Sequence, residues 1–323
     1  MVSGLKSKIV NLKSKMRSPL FYAKILLFGE YGIIKDSKGL AIPYNSFKGS
    51  LLKSDAMDEV QKESHSHLTV FVNFLKTIDS QLVQFRFDEI EKDLQEGMYF
   101  DSSIPRGYGV GSSGAIVAAI YDKYAEDKIT VLENLTRDKL LKLKTIFGTM
   151  ESYFHGTSSG LDPLNSYLSI PILINSKTDL EATGIPSQKE GKGAVFLIDS
   201  EQVGETAPMV EIFMEKMKNE GFRNMLKEEF AKYTDASIHD FLKGDVSSML
   251  QNVKQLSKVA LSNFKPMIPQ KMQGIWQKGL ETDDYYMKLC GSGGGGYFLG
   301  FTENYEKTQK ILKNFKLELV YRF

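Results

Sequence analysis

The sequence predicts an α+β fold divided into two domains. The first half of the chain alternates short apolar strands with helices, residues 207–280 are mostly helical, and the chain closes with strand, glycine-rich turn, strand, helix and strand. Elements mixed in this way are typical of α+β proteins. A polar stretch at 176–192 separates the expected domains, residues 21–185 and 186–323, which follow a basic N-terminal extension at 1–20.

The individual elements follow from the spacing of apolar residues. In the first two thirds of the chain we expect strands at 21–28, 167–175 and 194–199, and helices at 67–78, 113–124 and 136–154. The helix at 136–154 has the clearest pattern, since Leu140, Leu143, Phe147 and Met150 keep the spacing of one buried stripe. Near the C terminus we expect strands at 285–289, 297–301 and 317–321.

The composition is that of a soluble globular protein. Of 323 residues, 42% are hydrophobic and 25% charged, and the formal net charge of +1 gives no general attraction to nucleic acid. No apolar run approaches the length of a membrane span. The single cysteine, Cys290, excludes a disulfide within the chain and favours a reducing compartment, so we expect a cytoplasmic protein.

A glycine loop at 105–115, with the sequence PRGYGVGSSGA, is the most informative segment. Residues without a Cβ let backbone N–H groups converge, and the N-terminus of the helix that follows adds more, so the loop predicts an anion site of phosphate size. The lysine of a P-loop is absent. Gly109, Gly111 and Gly114 match the dinucleotide-binding spacing, but no acidic residue closes a second strand about 20 residues later. A tight turn without a ligand is the alternative.

Two charged residues stand at the first strand. Lys24 lies within the apolar run FYAKILLF, so its side chain must leave the core or be paired. A solvent-facing gatekeeper on an edge strand is the alternative. Glu30 lies between two glycines at the end of the strand, where an acid can bind polar groups of a small ligand or form a simple turn.

Two later segments complete the candidate site. Glu151 lies on the buried stripe of helix 136–154 and needs a Lys, an Arg or a metal ion nearby. Small residues then lead the chain into Asp162, which suits a loop that enters a site, or a turn or cap residue. Five glycines at 291–296 exceed what a hairpin needs and predict close backbone approach to a ligand or to the first loop. We interpret His65 and His67 as a helix cap, not a metal site.

Three segments, in this order, resemble the motifs of the GHMP kinase superfamily: KILLFGEY at 24–31, PRGYGVGSSGA at 105–115 and KLCGSGGGG at 288–296. Within the superfamily the pattern is most similar to mevalonate kinases, because residues 151–162 also keep every fixed position of E-x-x-x-H-G-x-x-S-G-x-D. The resemblance implies a two-domain GHMP kinase fold, with an N-terminal ribosomal-protein-S5-like domain and a C-terminal ferredoxin-like α/β domain.

The resemblance also implies ATP- and Mg²⁺-dependent transfer of the γ-phosphoryl group to a small-molecule hydroxyl, with mevalonate, an isoprenoid precursor, as the first candidate acceptor. It implies catalytic roles for Asp162 and Lys24 and Mg²⁺ ligation by Ser113 and Glu151. The implied acceptor-binding residues are Glu30, Tyr31, His155 and Thr206. The implied nucleotide-binding residues are Arg106, Gly107, Tyr108, Gly109, Val110, Gly111, Ser112, Ser113, Gly114, Gly293 and Gly294. Nucleic acid and membranes are not expected partners, and a homodimer is compatible with the sequence.

Three departures from the family pattern leave the acceptor open. Tyr31 replaces the usual His, Ser158 replaces the usual Pro, and residues 199–206 lack the basic residues typical of mevalonate kinases. The alternatives are therefore another GHMP kinase, such as a phosphomevalonate or sugar kinase, and a catalytically inactive GHMP fold that only binds. The presence of Lys24 and Asp162 together with the expected Mg²⁺ ligands argues against the inactive fold.

Overall fold

The fold was determined as a computed structural model that describes residues 18–35, 37–132, 134–188 and 190–323. Most of the basic N-terminal extension, residues 1–17, lies outside the described residues. None of the helices within the described ranges is long and apolar enough to cross a bilayer.

The strands of the described residues are β1 Phe21–Phe28, β2 Gly39–Lys53, β3 Met98–Ser102, β4 Ile172–Ser176, β5 Asp179–Ala182, β6 Ala194–Asp199, β7 Tyr286–Leu289, β8 Tyr297–Thr302 and β9 Leu317–Arg322. The α-helices are α1 Glu59–Leu75, α2 Phe87–Gln95, α3 Ser112–Tyr124, α4 Arg137–His155, α5 Leu161–Leu168, α6 Thr206–Lys216, α7 Glu220–Met225, α8 Ala231–Lys243, α9 Val246–Asn263, α10 Gln270–Thr282 and α11 Tyr305–Ile311. Short 3₁₀ turns at Gly32–Lys35 and Lys265–Met267 and a π-helical turn at Leu226–Phe230 complete the list.

The first sheet is organised around the long strand β2. Its beginning pairs with β4 (Leu40 opposite Leu173), its centre with β1 (Ile42 opposite Ile25) and its end with β3, all antiparallel, and β5 extends the sheet beyond β4. Strand β1 is buried along nearly its whole length, which agrees with its almost continuous apolar sequence. The side chains of β1 therefore face the interior of the molecule, and so does Lys24.

Helices α3, α4 and α5 pack together against this sheet. The ring of Tyr121 in α3 meets Phe147 in α4 and Tyr167 in α5 edge to face, with centroids 4.9 and 5.2 Å away. Gly114 lets α3 approach α5 closely, because a Cβ there would lie 2.7 Å from the backbone of Asp162 and Pro163. The packing thus brings the start of α3 to the start of α5.

The second sheet has the antiparallel order β7-β8-β6-β9. Its core includes Trp276 of α10, whose ring lies edge-on to Phe298 of β8. The two sheets share one hydrophobic core, since Phe28 at the end of β1 stacks on Phe301 of β8 at 5.6 Å between ring centroids. The end of β1 is therefore packed directly against the C-terminal half.

Most predicted elements are present. Strands β1 and β6 have the predicted bounds. Helix α4 differs from the prediction by one residue at both ends, and α3, β7, β8 and β9 differ by one residue at one end. The α+β fold class is confirmed. The predicted domain boundary at residue 185 lies between β5, which pairs with β4 in the first sheet, and β6, which pairs with β8 in the second sheet. The boundary itself stays a prediction.

Two predicted elements are wrong in extent. The helix expected at 67–78 begins at Glu59, where Asp58 and Gln61 form a reciprocal capping box, and ends at Leu75. His65 and His67 consequently lie inside α1 and are not a helix cap. The strand expected at 167–175 begins only at Ile172, because residues as far as Leu168 form α5, which ends at Ser169 in a left-handed conformation.

Candidate active site

A cavity of about 1100 Å³ lies where the three motif segments meet. Its walls come from the end of β1, the first glycine loop, the ends of α4 and α5, and the second glycine segment, residues 291–296. The predicted site residues that line it are Lys24, Glu30, Tyr31, Arg106, Gly107, Gly109, Val110, Gly111, Ser112, Ser113, Glu151, His155, Asp162, Thr206 and Gly293. The fold thus gathers most of the predicted site around one space.

Lys24 and Asp162 form an ion pair in this cavity. Lys24 is buried in β1, and its Nζ lies 3.0 Å from Oδ1 of Asp162, whose side chain is 34% exposed. Burial acts to lower the pKa of Lys24, but the ion pair with Asp162 outweighs it and the pKa is raised above its ordinary value. Lys24 is therefore a fixed cation that points into the site and not a solvent-facing gatekeeper.

Asp162 is placed by the start of α5. Gly160 caps that helix in a left-handed conformation with φ of 71°, and a Cβ there would lie 2.1 Å from the carbonyl oxygen of Lys144. Asp162 stands in the first turn of the helix, where the helix dipole favours a negative charge. Its carboxylate is both paired and partly open to the cavity.

A buried carboxylate faces this pair from α4. Glu151 is 3% exposed, and its two oxygens accept hydrogen bonds from Ser113 Oγ at 2.8 Å and Ser158 Oγ at 2.5 Å. His155 Nε2 lies 3.0 Å from the same Ser113 hydroxyl. Burial, and then the negative charge of Asp162, raise the pKa of Glu151 to about 7. A cation beside this carboxylate would offset its cost of burial.

The donor set fits Mg²⁺ shared with a phosphate ligand. Throughout the described residues there is no group of three or more His, Cys, Asp or Glu side chains that could hold a metal ion. Mg²⁺ does not need such a group, because it is usually bound through one or two carboxylates together with substrate phosphates and water. Glu151 and Ser113 provide one carboxylate and one hydroxyl at the mouth of the glycine loop.

The first glycine loop has the backbone of an anion site. Gly107, Gly109 and Gly111 have φ of 74°, 76° and 80°, which a residue with a side chain rarely adopts. Helix α3 starts at Ser112, and no side chain caps it. Ser112 and Ser113 line the cavity, so the uncapped N–H groups of this first turn are suited to bind phosphate oxygens of a ligand there.

The second glycine segment packs backbone to backbone on the first. A Cβ on Gly109 would lie 2.2 Å from the carbonyl oxygen of Cys290, and a Cβ on Gly296 would lie 2.5 Å from the Cα of Tyr108. Gly204 N–H also donates to the Gly107 carbonyl at 2.9 Å. The prediction that these glycines allow close approach to the first loop is confirmed.

Three of the predicted acceptor residues line the cavity beside residues 288–292, whereas the fourth, His155, lies beside Ser113. The Tyr31 hydroxyl donates to the Ser292 carbonyl at 2.6 Å, and its ring stacks on Phe213 with 4.6 Å between centroids. Thr206 begins α6, and its hydroxyl accepts a hydrogen bond from Ser292 at 3.4 Å. The carboxylate of Glu30 is almost completely buried, at the wall of the cavity.

Lys288 is a buried residue behind the cavity wall whose importance the sequence analysis missed. It has an exposure of 0%, and its Nζ lies 2.7 Å from Oε2 of Glu30. Burial raises the pKa of Glu30, and the ion pair with Lys288 opposes that rise. The signal was available, because Lys288 lies in the apolar run YYMKLC in the same way as Lys24 lies in β1.

Three predicted nucleotide-binding residues do not line the cavity. Tyr108 packs edge-on to Tyr297 with ring centroids 5.0 Å apart, and Gly114 packs on α5. Gly294 lies against Met209, and its N–H donates to the carbonyl of residue 267 at 2.7 Å. In this structure the three residues pack against neighbouring segments, and their role toward the nucleotide remains a prediction.

A known family model matches part of the chain. The family GHMP kinases N terminal domain matches residues 74–169, a segment that includes the first glycine loop and Asp162. A comparison with the sequences of curated proteins gave no match.

Among solved structures the chain is similar to the L. major mevalonate kinase in complex with R-mevalonate, with a TM-score of 0.60 and 16% identity over 92% of this chain and 90% of that one. It is also similar to the Methanococcus jannaschii mevalonate kinase, with a TM-score of 0.58 and 17% identity over 96% and 99% of the two chains. A Streptococcus pneumoniae phosphomevalonate kinase in complex with phosphomevalonate and AMPPNP has a TM-score of 0.60 and 14% identity over 94% and 100%. These likenesses show the fold, and the resemblance to the GHMP kinase superfamily is confirmed.

Proposed function

We propose that this chain, which has a GHMP kinase N-terminal domain and the fold of that superfamily, is a kinase that transfers the γ-phosphoryl group of ATP to the hydroxyl of a small molecule. The observation that carries the proposal is the Lys24–Asp162 pair, 3.0 Å apart, in the same cavity as an uncapped helix N-terminus and the Glu151–Ser113 pair. An acid–base group, a fixed cation and a phosphate cradle are the parts that phosphoryl transfer requires.

The glycine loop would bind the phosphates. The N–H groups at the start of α3 supply donors, and the positive end of the helix dipole adds to the attraction. Glu151 and Ser113 would hold Mg²⁺, which neutralises phosphate charge when bound. The hydroxyl of Ser158 keeps the Glu151 carboxylate oriented toward Ser113.

Asp162 would accept the proton of the acceptor hydroxyl, so that the acceptor oxygen can bond to the γ-phosphorus as the bond to the ADP oxygen breaks. Lys24 lies beside Asp162 and would neutralise negative charge on the transferred group. Since the pKa of Lys24 is raised, the side chain stays cationic at neutral pH. Both groups act from rigid elements, β1 and α5, which favours a fixed reaction geometry.

Mevalonate is the acceptor that we propose first. Lys144 and Lys177 line the cavity on the side of α4 and β4, and the Lys144 ammonium donates to the Lys177 carbonyl at 2.6 Å. Two cationic side chains on the cavity wall favour an anionic acceptor over a neutral sugar. Phosphomevalonate, which is also anionic, is the second candidate.

A coupled assay of ADP release with Mg-ATP and four acceptors (mevalonate, phosphomevalonate, galactose and homoserine) tests the proposal. We expect turnover with mevalonate. Turnover only with another of the four would keep the kinase and replace the acceptor. Tight ATP binding without transfer to any of them would instead support a binding module.

A further inference from the structure

Lys288 is a buried charge that the proposed reaction leaves without a role. It lies in β7 with no exposed surface, and its Nζ contacts Glu30 at 2.7 Å and donates to the Leu289 carbonyl at 2.8 Å. A buried ion pair is often no more stabilising than apolar side chains of the same volume, because both charges lose their hydration. Stability alone therefore does not account for this pair.

The ion pair joins two segments that are far apart in the sequence and that both carry the site. Glu30 lies in the turn that follows β1, the strand that holds Lys24, and Lys288 lies in β7, three residues before the second glycine segment. A second bond runs between the same two segments, since the Tyr31 hydroxyl donates to the Ser292 carbonyl at 2.6 Å. The end of β1 is consequently held to residues 288–292 at two points.

The contacts continue from these residues to the phosphate-binding loop. Cys290 is packed on Gly109 so closely that no Cβ fits between them. On the other side of the loop, the N–H of Lys24 donates to the Val110 carbonyl at 3.0 Å. Strand β1, residues 288–292 and the first glycine loop therefore form a closed ring of contacts around Lys24.

We propose that Lys288 is a positioning residue: through Glu30 it sets the end of β1 against residues 288–292, and so fixes Lys24 and Asp162 relative to the phosphate-binding loop. The inference rests on the proposed kinase function. The inference also assigns Glu30 a positioning role in place of the acceptor binding that the resemblance implied, because the Glu30 carboxylate is paired with Lys288.

Kinetics of three variants test the inference. Lys288→Met leaves Glu30 buried without its partner, whereas the double variant Glu30→Met with Lys288→Met replaces both charges by apolar side chains of similar volume and is expected to fold with near wild-type stability. Because a small misplacement of reacting groups costs about 100-fold in rate, we expect both to lose about 100-fold in kcat while the KM values for Mg-ATP and acceptor change little. Ile90→Ala is the matched control for destabilisation and is expected to keep kcat, because Ile90 is buried in α2, which does not line the cavity.

Thiol labelling gives a readout that does not depend on turnover. Cys290 is the only cysteine of the chain, is 2% exposed, and lies between Lys288 and Gly291. If the ion pair holds the ring of contacts closed, labelling of native Cys290 by a disulfide reagent should be about tenfold faster in the Lys288 variants than in wild type and Ile90→Ala.

The outcomes separate the two claims. A double variant with wild-type kcat and wild-type labelling rate would overturn the positioning role and leave the kinase assignment intact. Absence of turnover by the wild type would overturn the proposed function, while the labelling rates would still decide whether Lys288 holds the segments together.

Discussion

Asp162 is the residue whose replacement should affect turnover most directly. Its Oδ1 lies 3.0 Å from Lys24 Nζ, and we place it as the group that accepts the acceptor's proton. Asp162→Asn keeps the shape but cannot take up a proton, so we expect kcat to fall by about 10²- to 10⁴-fold with Mg-ATP affinity largely kept. Steady-state kinetics and calorimetric titration with a non-hydrolysable ATP analogue measure the two effects.

Asp138→Asn is the matched control. Asp138 is an exposed acid in the first turn of α4, as Asp162 is an acid in the first turn of α5, so the change in helix-terminal charge is the same. The control should retain activity. A kcat for Asp162→Asn within about threefold of wild type would show that this carboxylate is not the proton acceptor.

The buried charged residues show which properties of a single residue can be predicted from the sequence. Lys24 and Lys288 each lie in an apolar strand, and that pattern requires each side chain either to leave the core or to be paired. The partners, Asp162 and Glu30, could not be derived from spacing because they come from other elements far along the chain. Glu151 was correctly expected to be buried, since the periodicity of its own helix carries that information.

At the scale of elements, the contact between the two glycine segments makes a sharp prediction. Gly109→Ala adds a methyl group at φ of 76° and 2.2 Å from the Cys290 carbonyl. The left-handed backbone alone costs about 1 kcal/mol for alanine, and the clash must in addition push the segments apart. We expect a loss of stability clearly above 1 kcal/mol and a raised KM for Mg-ATP, measured by urea unfolding and kinetics.

Gly244→Ala separates backbone strain from the clash. Gly244 ends α8 with φ of 74°, but a Cβ there would meet nothing closer than 3.9 Å. This variant should show the strain alone and keep its KM for Mg-ATP. Equal losses of stability in the two variants would mean that the contact between the glycine segments contributes nothing.

Asp93 ties three elements together and gives a pH-dependent prediction. Partial burial acts to raise its pKa, but hydrogen bonds from Lys123, Lys53 and Tyr124 lower the pKa from 3.8 to about 2. A carboxylate whose pKa is lower in the folded state stabilises the protein above pH 3.8, and that stability is lost as the pH falls toward 2. Asp93→Asn should therefore cost about 2 kcal/mol at pH 7 and much less near pH 2.

Unfolding by urea across this pH range measures the effect. Asp101→Asn, at an exposed position on β3, is the control and should change stability little at any pH. A cost for Asp93→Asn that stays constant between pH 7 and pH 2 would contradict the assigned interaction of α2 with β2 and α3.

Elements were predictable where one periodicity governs them. β1 and α4 have a continuous apolar run and a regular stripe, and both were placed within a residue or two. α1 was misplaced because residues 59–67 contain one apolar side chain and no apolar stripe, so only the capping box at Asp58 and Gln61 marks the start. The long strand β2 changes partners along its length and is polar in the middle, which gives no single alternating pattern.

For the whole molecule, the continuous core predicts cooperative unfolding. Phe28 of the first sheet stacks on Phe301 of the second, and Tyr31 packs on Phe213 and Phe264 of the C-terminal half. We propose that the division near residue 185 separates two sheets and not two folding units. Calorimetry should then show one transition with equal calorimetric and van't Hoff enthalpies, and two separate transitions would contradict a shared core.

The order of the three motifs along the chain made the overall architecture predictable, although each motif alone has low specificity for the superfamily. The packing of the two glycine segments and the Lys288–Glu30 pair was not predictable, because both depend on how the second sheet meets the first. The acceptor is the least predictable feature, since the cavity wall near Tyr31 and Thr206 departs from the family pattern.

The most direct test of the central claim is ³¹P NMR of the products formed from mevalonate, ATP and Mg²⁺ by the wild type and by Asp162→Asn. The account predicts that the wild type produces ADP and a phosphate monoester of the acceptor in equal amounts, and that Asp162→Asn produces almost none. ADP with free inorganic phosphate and no monoester, or equal product from both proteins, would contradict phosphoryl transfer at this site.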